Sequence, residues 1–394
     1  MDFRFSAEEE AFRREVREWL QREIPPRWAE LDPGLWEETD ESWALLRQFQ
    51  RKLAQKGWLA PAYPKQYGGS EMGHIRRLIL AEELYYHRAP VGIEWEISVN
   101  WVGGAVLLFG TEMQKKKYLT EVARGESSFC LGYSEPNSGS DLASIQTRAV
   151  EDGDSWVING QKTWCSFAHY ANYCWLGART DPSAPKHRGI SMFIIDMKAP
   201  GITVKPLMNI LNQHSFNEVF LDDVRVPKEA LVGERNSGWY QLAMALDYER
   251  SLIGTAAGNQ RLIEDLIQYA KRSGTGGGGD PLTNDALAEL VVENEVLRMM
   301  CYRIAWMYTK GLHPSYESSM SLLFSSQLLR QIAEVGMRLL GHYGELSQDS
   351  ALAVDKARIM RTFLSCISIG VGGGTNEIQR NIVAMRGLGL PRQQ

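Results

Sequence analysis

The chain lacks the features that would mark a secreted, membrane-spanning or metal-held protein. It has only five cysteines (Cys130, Cys165, Cys174, Cys301 and Cys366), an odd number with no CxxC pair. That pattern argues against a disulfide framework or a zinc site and fits reduced thiols in a cytosol. No uninterrupted apolar run reaches the roughly 18 residues that a membrane span needs, so none is expected. Basic excess is missing too. With 43 Lys and Arg against 48 Asp and Glu, the net charge of -5 argues against nucleic acid or an anionic membrane as the main partner. There is no signal-peptide pattern either: Met1-Asp2-Phe3-Arg4-Phe5 runs straight into an acidic amphipathic segment, and a cytoplasmic location is expected.

What is present is ordinary globular composition, 44% hydrophobic and 23% charged. The length of 394 residues is enough for two or three structural units and a large core. Up to about residue 125 the periodicity is helical. Ser6 with Glu9 predicts a capping box ahead of Phe12, Val16 and Leu20, and further helical patterns cover 41–56, 75–88, 95–109 and 112–123. From about 126 to 232 the segments become short, β-branched and aromatic: 128–133, 146–151, 156–159, 173–179, 191–196 and 218–226. Asp152-Gly153-Asp154, Asn159-Gly160 and Pro200-Gly201 separate them as turns, which predicts a small, mostly antiparallel β domain. Helical spacing returns at Gly238 and dominates to about 386, broken by a glycine-rich crossover at 273–281. The fold class expected is α+β, divided as 1–125, 126–232 and 233–394.

Three motifs carry candidate chemistry. In Gly372-Gly373-Gly374-Thr375-Asn376-Glu377-Ile378, glycines allow close backbone approach and Thr375 caps a helix whose free N–H groups suit a phosphate. A flexible loop before an ordinary cap is the plain alternative. In Tyr133-Ser134-Glu135-Pro136-Asn137-Ser138-Gly139-Ser140-Asp141, hydroxyls gather in a turn at a strand end; a capped surface turn would look the same. In Asn159-Gly160-Gln161-Lys162-Thr163-Trp164-Cys165-Ser166, a β-turn followed by a strand would put Trp164 and Ser166 on one face. That pair suits the edge and face of a flat heteroaromatic ring, although a single Trp is more often core.

Taken in order with Gly57-Trp58, Pro64, Tyr67-Gly68-Gly69, Gly110-Thr111-Glu112, Gln114-Lys115, Tyr118-Leu119, Phe216-Asn217-Glu218-Val219-Phe220 and Gly233-Glu234, these motifs resemble the acyl-CoA dehydrogenase family over nearly the whole chain. The resemblance implies an N-terminal helical domain, a central, mostly antiparallel β domain and a C-terminal four-helix bundle. It implies FAD, with Ser134, Trp164 and Ser166 at the flavin ring and Thr375 and Glu377 at its pyrophosphate and adenosine end. Ser140 corresponds to a serine that contacts the CoA part of the substrate. Glu377 also reads as an exposed acid favoured by the helix dipole.

The family's reaction removes an α-proton from an acyl-CoA thioester while the β-hydrogen leaves as hydride to the flavin, giving the trans-2-enoyl-CoA. Such a weak carbon acid needs a carboxylate base in a dry pocket. Many members keep the base just before the Gly-Thr of the C-terminal loop, where this chain has Gly373. Leu246-Asp247-Tyr248-Glu249-Arg250 instead resembles the branch, typified by isovaleryl-CoA and long-chain dehydrogenases, whose base sits on a helix. It points to Glu249 as base, with Asp247 and Arg250 beside the substrate. Apolar neighbours Leu242, Met244, Leu246 and Leu252 predict a buried helix there.

Two positions depart from the family. Where members usually read Arg-x-x-Phe-Gly, Arg272-Ser273-Gly274-Thr275-Gly276 lacks the Phe, and Arg338-Leu339-Leu340-Gly341-His342 has Arg for Gln and His for a glycine. Arg272 and Arg338 correspond to contacts on a neighbouring subunit's FAD, so a homo- or heterotetramer is expected, possessing in the second case a partner with an incomplete flavin site. Such heteromeric members often act on bulky CoA thioesters, steroid side chains included. The expected electron acceptor is an electron-transfer flavoprotein. The alternatives are an acyl-CoA oxidase or flavin monooxygenase on the same scaffold, or a catalytically silent or FAD-sharing scaffold subunit.

Overall fold

The computed structural model describes residues 4–34, 39–242, 254–274 and 280–391. By its internal packing the chain forms two compact units, one of Met1–Gly34, Gly73–Pro90 and Arg250–Gln394, the other of Leu35–Met72 and Val91–Glu249. No helix among the described residues is long and apolar enough to cross a membrane.

The second unit is organised by an eight-stranded sheet. Its strands are β1 (Phe129–Gly132), β2 (Arg148–Asp152), β3 (Ser155–Lys162), β4 (Tyr173–Arg179), β5 (Ile190–Asp196), β6 (Ile202–Leu207), β7 (Phe216–Pro227) and β8 (Leu231–Val232). They lie in the order β6-β7-β3-β2-β4-β5-β8, with β1 beside β4. Every pairing is antiparallel except β1 with β4 and β2 with β4. The inward positions of these strands, among them Trp156, Ile158, Cys174, Phe193, Val219 and Val224, make one apolar core. The mostly antiparallel expectation holds. β6 escaped the sequence reading because it is an edge strand with no buried residue and carries Pro206, which such an edge tolerates.

One expected turn is absent. At Asn159-Gly160 the chain does not reverse; β3 runs through it, with the register against β7 shifting between Ile158 and Gly160. Gly160 is required by close approach, since a Cβ there would sit 2.3 Å from the Thr147 hydroxyl. The hairpin signal was overridden by pairing on both sides of β3.

Helices complete this unit. Asp40–Gln55 starts at a Thr39/Ser42 capping box, and Arg47 from it donates to the carbonyls of Gly125 and Ser127 at 2.9 and 3.0 Å, fixing the entry to β1. The expected helix over 95–109 appears as Gly92–Trp95, a π-helical Glu96–Val102 and Gly103–Phe109.

The first unit is helical. Ala7–Glu23 begins at the predicted Ser6/Glu9 capping box, and its Arg13 and Arg17 pair with Glu82 and Glu83 of the His74–Tyr86 helix at 2.7–3.1 Å. Thr255–Ser273, Pro281–Thr309, Tyr316–Leu340 and Arg358–Ile369 share a core that includes Ile263, Leu290, Leu297, Leu328 and Ile332. The glycine-rich crossover behaves as expected at both described ends. Gly274 closes one helix at φ +74°, and Asp280 caps the next, accepting from the N–H groups of Leu282 and Thr283.

Candidate functional site

In the second unit the chain leaves β3 after Lys162 and is immediately tied to two other segments. Thr163 N–H donates to the Ser134 carbonyl at 2.9 Å, Cys165 N–H to the Asn217 carbonyl at 3.0 Å and Phe167 N–H to the Ser215 carbonyl at 2.9 Å. These bonds bring Ser134 to the segment that carries Trp164 and Ser166. They also correct the expected strand: Thr163–Cys165 is irregular, a turn follows, and Trp164 sits at φ +59°. With both neighbours tethered by tertiary hydrogen bonds, the backbone between them is forced into the left-handed region.

The result is an indole standing 62% exposed, touching Phe216 edge-on at 5.9 Å. A left-handed non-glycine residue costs about 1–2 kcal/mol, and strain of this kind gathers at ligand sites. The hydroxyls of Ser134 and Ser166, both half-buried, make no hydrogen bond to another described residue. An exposed indole in a segment tied to Ser134 and followed by Ser166, with both hydroxyls unbonded among the described residues, offers the kinds of group that a flat heteroaromatic ring with polar edges requires.

Beneath this loop lies an ion pair that the sequence reading missed. Lys162 is fully buried, and its ammonium donates to Glu135 Oε1 at 2.8 Å and to the Tyr133 carbonyl at 3.1 Å. The Glu135 carboxylate also accepts from the Gln146 and Thr147 N–H groups at 2.5 and 2.8 Å. Burial pushes the Glu135 carboxyl up, but the Lys162 charge and these donors outweigh it and hold it below its ordinary value. One signal was available: Lys162 shares the inward side of β3 with Trp156 and Ile158. The pair anchors Tyr133–Glu135 to the end of β3 and so fixes where Ser134 sits relative to Trp164.

Ser140 is exposed in the turn that follows, next to Asp141, which Lys186 pairs at 2.8 Å. Asp247, Glu249 and Arg250 lie outside the described residues.

In the first unit the glycine loop joins Arg358–Ile369 to Asn376–Ile382. Gly373 and Gly374 take φ +69° and +98°, and Thr375 caps the helix as expected, its hydroxyl accepting from Ile378 N–H at 3.3 Å. Fully buried Gln379 donates to the Gly373 and Gly374 carbonyls at 3.0 and 2.9 Å, and Ser326 donates to Asn376 Oδ1 at 3.0 Å. Beside the loop is a cavity of about 520 Å³ with Arg330, Phe363, Asn376, Glu377 and Arg380 in its wall. Glu377 is exposed and meets Arg380 at 3.4 Å; first-turn backbone N–H and the Thr375 hydroxyl hold its carboxyl below the usual range. Arg272 and Arg338 are exposed in the last turns of their helices, and neither forms an ion pair with a described residue.

Gln379→Met should leave two loop carbonyls without their donor and lower stability by about 2–3 kcal/mol, measured by urea unfolding. An unchanged midpoint would show that the loop holds itself.

Comparison with known proteins identifies the family. Family models described as the N-terminal, middle and C-terminal domains of acyl-CoA dehydrogenase match residues 6–126, 130–224 and 236–388. Acyl-CoA dehydrogenase FadE26 of Mycobacterium tuberculosis (strain ATCC 25618 / H37Rv) is 33% identical over 402 residues, covering 100% of this chain and 99% of the relative. A structure described as the Tcur3481-Tcur3483 steroid ACAD superimposes with a TM-score of 0.89 at 32% identity, and the ChsE4-ChsE5 complex from Mycobacterium tuberculosis with 0.88 at 32%, each over 100% of both chains. The chain is therefore an enzyme of the acyl-CoA dehydrogenase family, with that family's helical, β and helical parts in order.

Proposed function

We propose that the chain carries out FAD-dependent α,β-dehydrogenation of an acyl-CoA thioester, with 1–125, 126–232 and 233–394 as its three domains. The observation that carries this reading is the exposed, left-handed Trp164 in a segment that is tied to Ser134 and runs on to Ser166. These residues fit an isoalloxazine ring, which the Trp164 indole and the Ser134 and Ser166 hydroxyls would hold. When bound, FAD supplies the acceptor for the substrate's β-hydrogen.

The remaining chemistry belongs to the chain. Glu249 takes the α-proton, and Asp247, Arg250 and Ser140 hold the substrate. Thr375 and Glu377 serve the pyrophosphate and adenosine end, and Arg272 and Arg338 serve the cofactor of a neighbouring subunit. The Glu135–Lys162 pair keeps Ser134 in place. The electron acceptor in this reading would be an electron-transfer flavoprotein. The similar structure described as a steroid ACAD, and the missing crossover Phe, favour a mixed tetramer acting on a bulky, ring-bearing CoA thioester.

The test is to purify the chain with and without a partner subunit, record its flavin spectrum, and titrate short, branched, long and steroidal acyl-CoAs without oxygen. A yellow protein bleached by the steroidal thioester is expected. A protein that binds FAD with a partner yet is bleached by none of the panel would support the other reading, an FAD-sharing scaffold subunit, for which Gly373 and the altered crossover speak.

A further inference from the structure

Asn217, on β7, is completely buried, and it grips the Trp164–Ser166 segment through one residue. Its carbonyl accepts from Cys165 N–H at 3.0 Å, and its Nδ2 donates to the Cys165 carbonyl at 3.0 Å. Two imidazoles take the rest of the side chain. Nδ2 lies 3.1 Å from Nδ1 of His169, and Oδ1 lies 2.7 Å from Nε2 of His214. The two rings stack with centroids 3.8 Å apart and planes 16° from parallel.

One assignment of protons satisfies every contact. A carbonyl only accepts, so the amide nitrogen of Asn217 must face Cys165, and its second N–H then faces His169. Nδ1 of His169 must carry a lone pair, which makes that ring neutral with its proton on Nε2. Nε2 of His214 must carry the proton that Oδ1 accepts. A proton on Nδ1 of His169 would set two donors against each other, and Asn217 would have to turn away from Cys165.

The surroundings keep His169 neutral. It faces the His214 ring, the Tyr170 ring at 4.1 Å and the Asn217 amide, with the Asp40 carboxylate held at 2.7 Å by the Tyr170 hydroxyl. Burial, then the second imidazole, push its pKa down to about 4, while Asn217 and Asp40 pull the other way.

We propose that Asn217 is a positioning residue that holds Trp164 and Ser166 in their ligand-facing conformation, and that it does so only while His169 offers a neutral nitrogen as acceptor. The consequence for the flavin rests on the function proposed above; the clamp itself does not.

The experiment compares Asn217→Asp, His169→Phe and His169→Gln in the full chain, with and without FAD. Asn217→Asp sets a carboxylate oxygen against the Cys165 carbonyl. His169→Phe keeps the stacked ring and removes the acceptor, and His169→Gln restores an acceptor that does not titrate. In the flavin-free protein, amide hydrogen exchange over 163–168, corrected for intrinsic rates, should speed up about tenfold in Asn217→Asp and several-fold in His169→Phe, and stay near wild type in His169→Gln. Exchange in the wild type should also accelerate as the pH falls toward 4, and His169→Gln should lose that response. In the loaded enzyme the first two variants should change the visible circular dichroism of the flavin and lower kcat with KM retained. Wild-type protection in both Asn217→Asp and His169→Phe overturns the proposal; if Asn217→Asp does not fold, His169→Phe decides alone. Faster exchange with unaltered flavin dichroism sustains the clamp and overturns the placing of Trp164 and Ser166 at the flavin.

Discussion

Replacing Glu249 with Gln should leave FAD bound and slow acyl-CoA-dependent flavin bleaching by about 10²–10⁴-fold, the usual contribution of a positioned general base. The substrate's α-C–H is a very weak acid, so a carboxylate has to meet it, and an amide of the same shape cannot accept the proton. The C-terminal loop offers no substitute. Gly373 has no side chain and takes φ +69°, and Asp355, the nearest acid on its N-terminal side in sequence, is paired with Arg358 at 3.1 Å. Anaerobic stopped-flow absorbance measures the effect. Undiminished bleaching in Glu249→Gln would move the base elsewhere.

Lys162→Met should cost about 3–5 kcal/mol of stability, because it strands the Glu135 carboxylate in the β unit without its counter-charge. The pH dependence supplies a second check. Glu135 titrates below its ordinary value in the folded protein, so its contribution is complete above the unfolded carboxylate pKa and disappears as the pH falls through the lower folded one. Lys162→Met removes the group that holds it low, so the acid-side loss of stability should shrink. Chemical denaturation from pH 7 to pH 3 measures both effects. A variant as stable as wild type, with the same acid limb, would show that the pair is dispensable. Loss of bound FAD at temperatures where the variant is still folded would tie the pair to the position of Ser134.

Much of the fold was legible in the sequence because its signals are local. Ser6 and Glu9 lie three residues apart and cap a helix whatever packs against it, and Thr375 does the same after its glycines. The strand segments showed through their β-branched and aromatic content between turn residues, and the reading failed at β6, an edge strand without a buried residue. The family motifs were legible for a related reason: loops that bind a ligand must keep particular residue types at fixed offsets.

The sequence by itself determined the element classes, the family, and the absence of an acid from the C-terminal loop, since each depends only on residue type and spacing. The tertiary structure decided how the site is held. That β3 passes through Asn159-Gly160, that Trp164 is left-handed and exposed, that Lys162 is buried against Glu135, and that Asn217 bridges Cys165 to His169 all depend on bonds between residues distant in sequence, 27 positions apart for Glu135 and Lys162 and 52 for Cys165 and Asn217. No window of sequence contains both partners of such a bond. Each conformation exists only because the sheet brings the two segments together and leaves their polar groups no water to turn to.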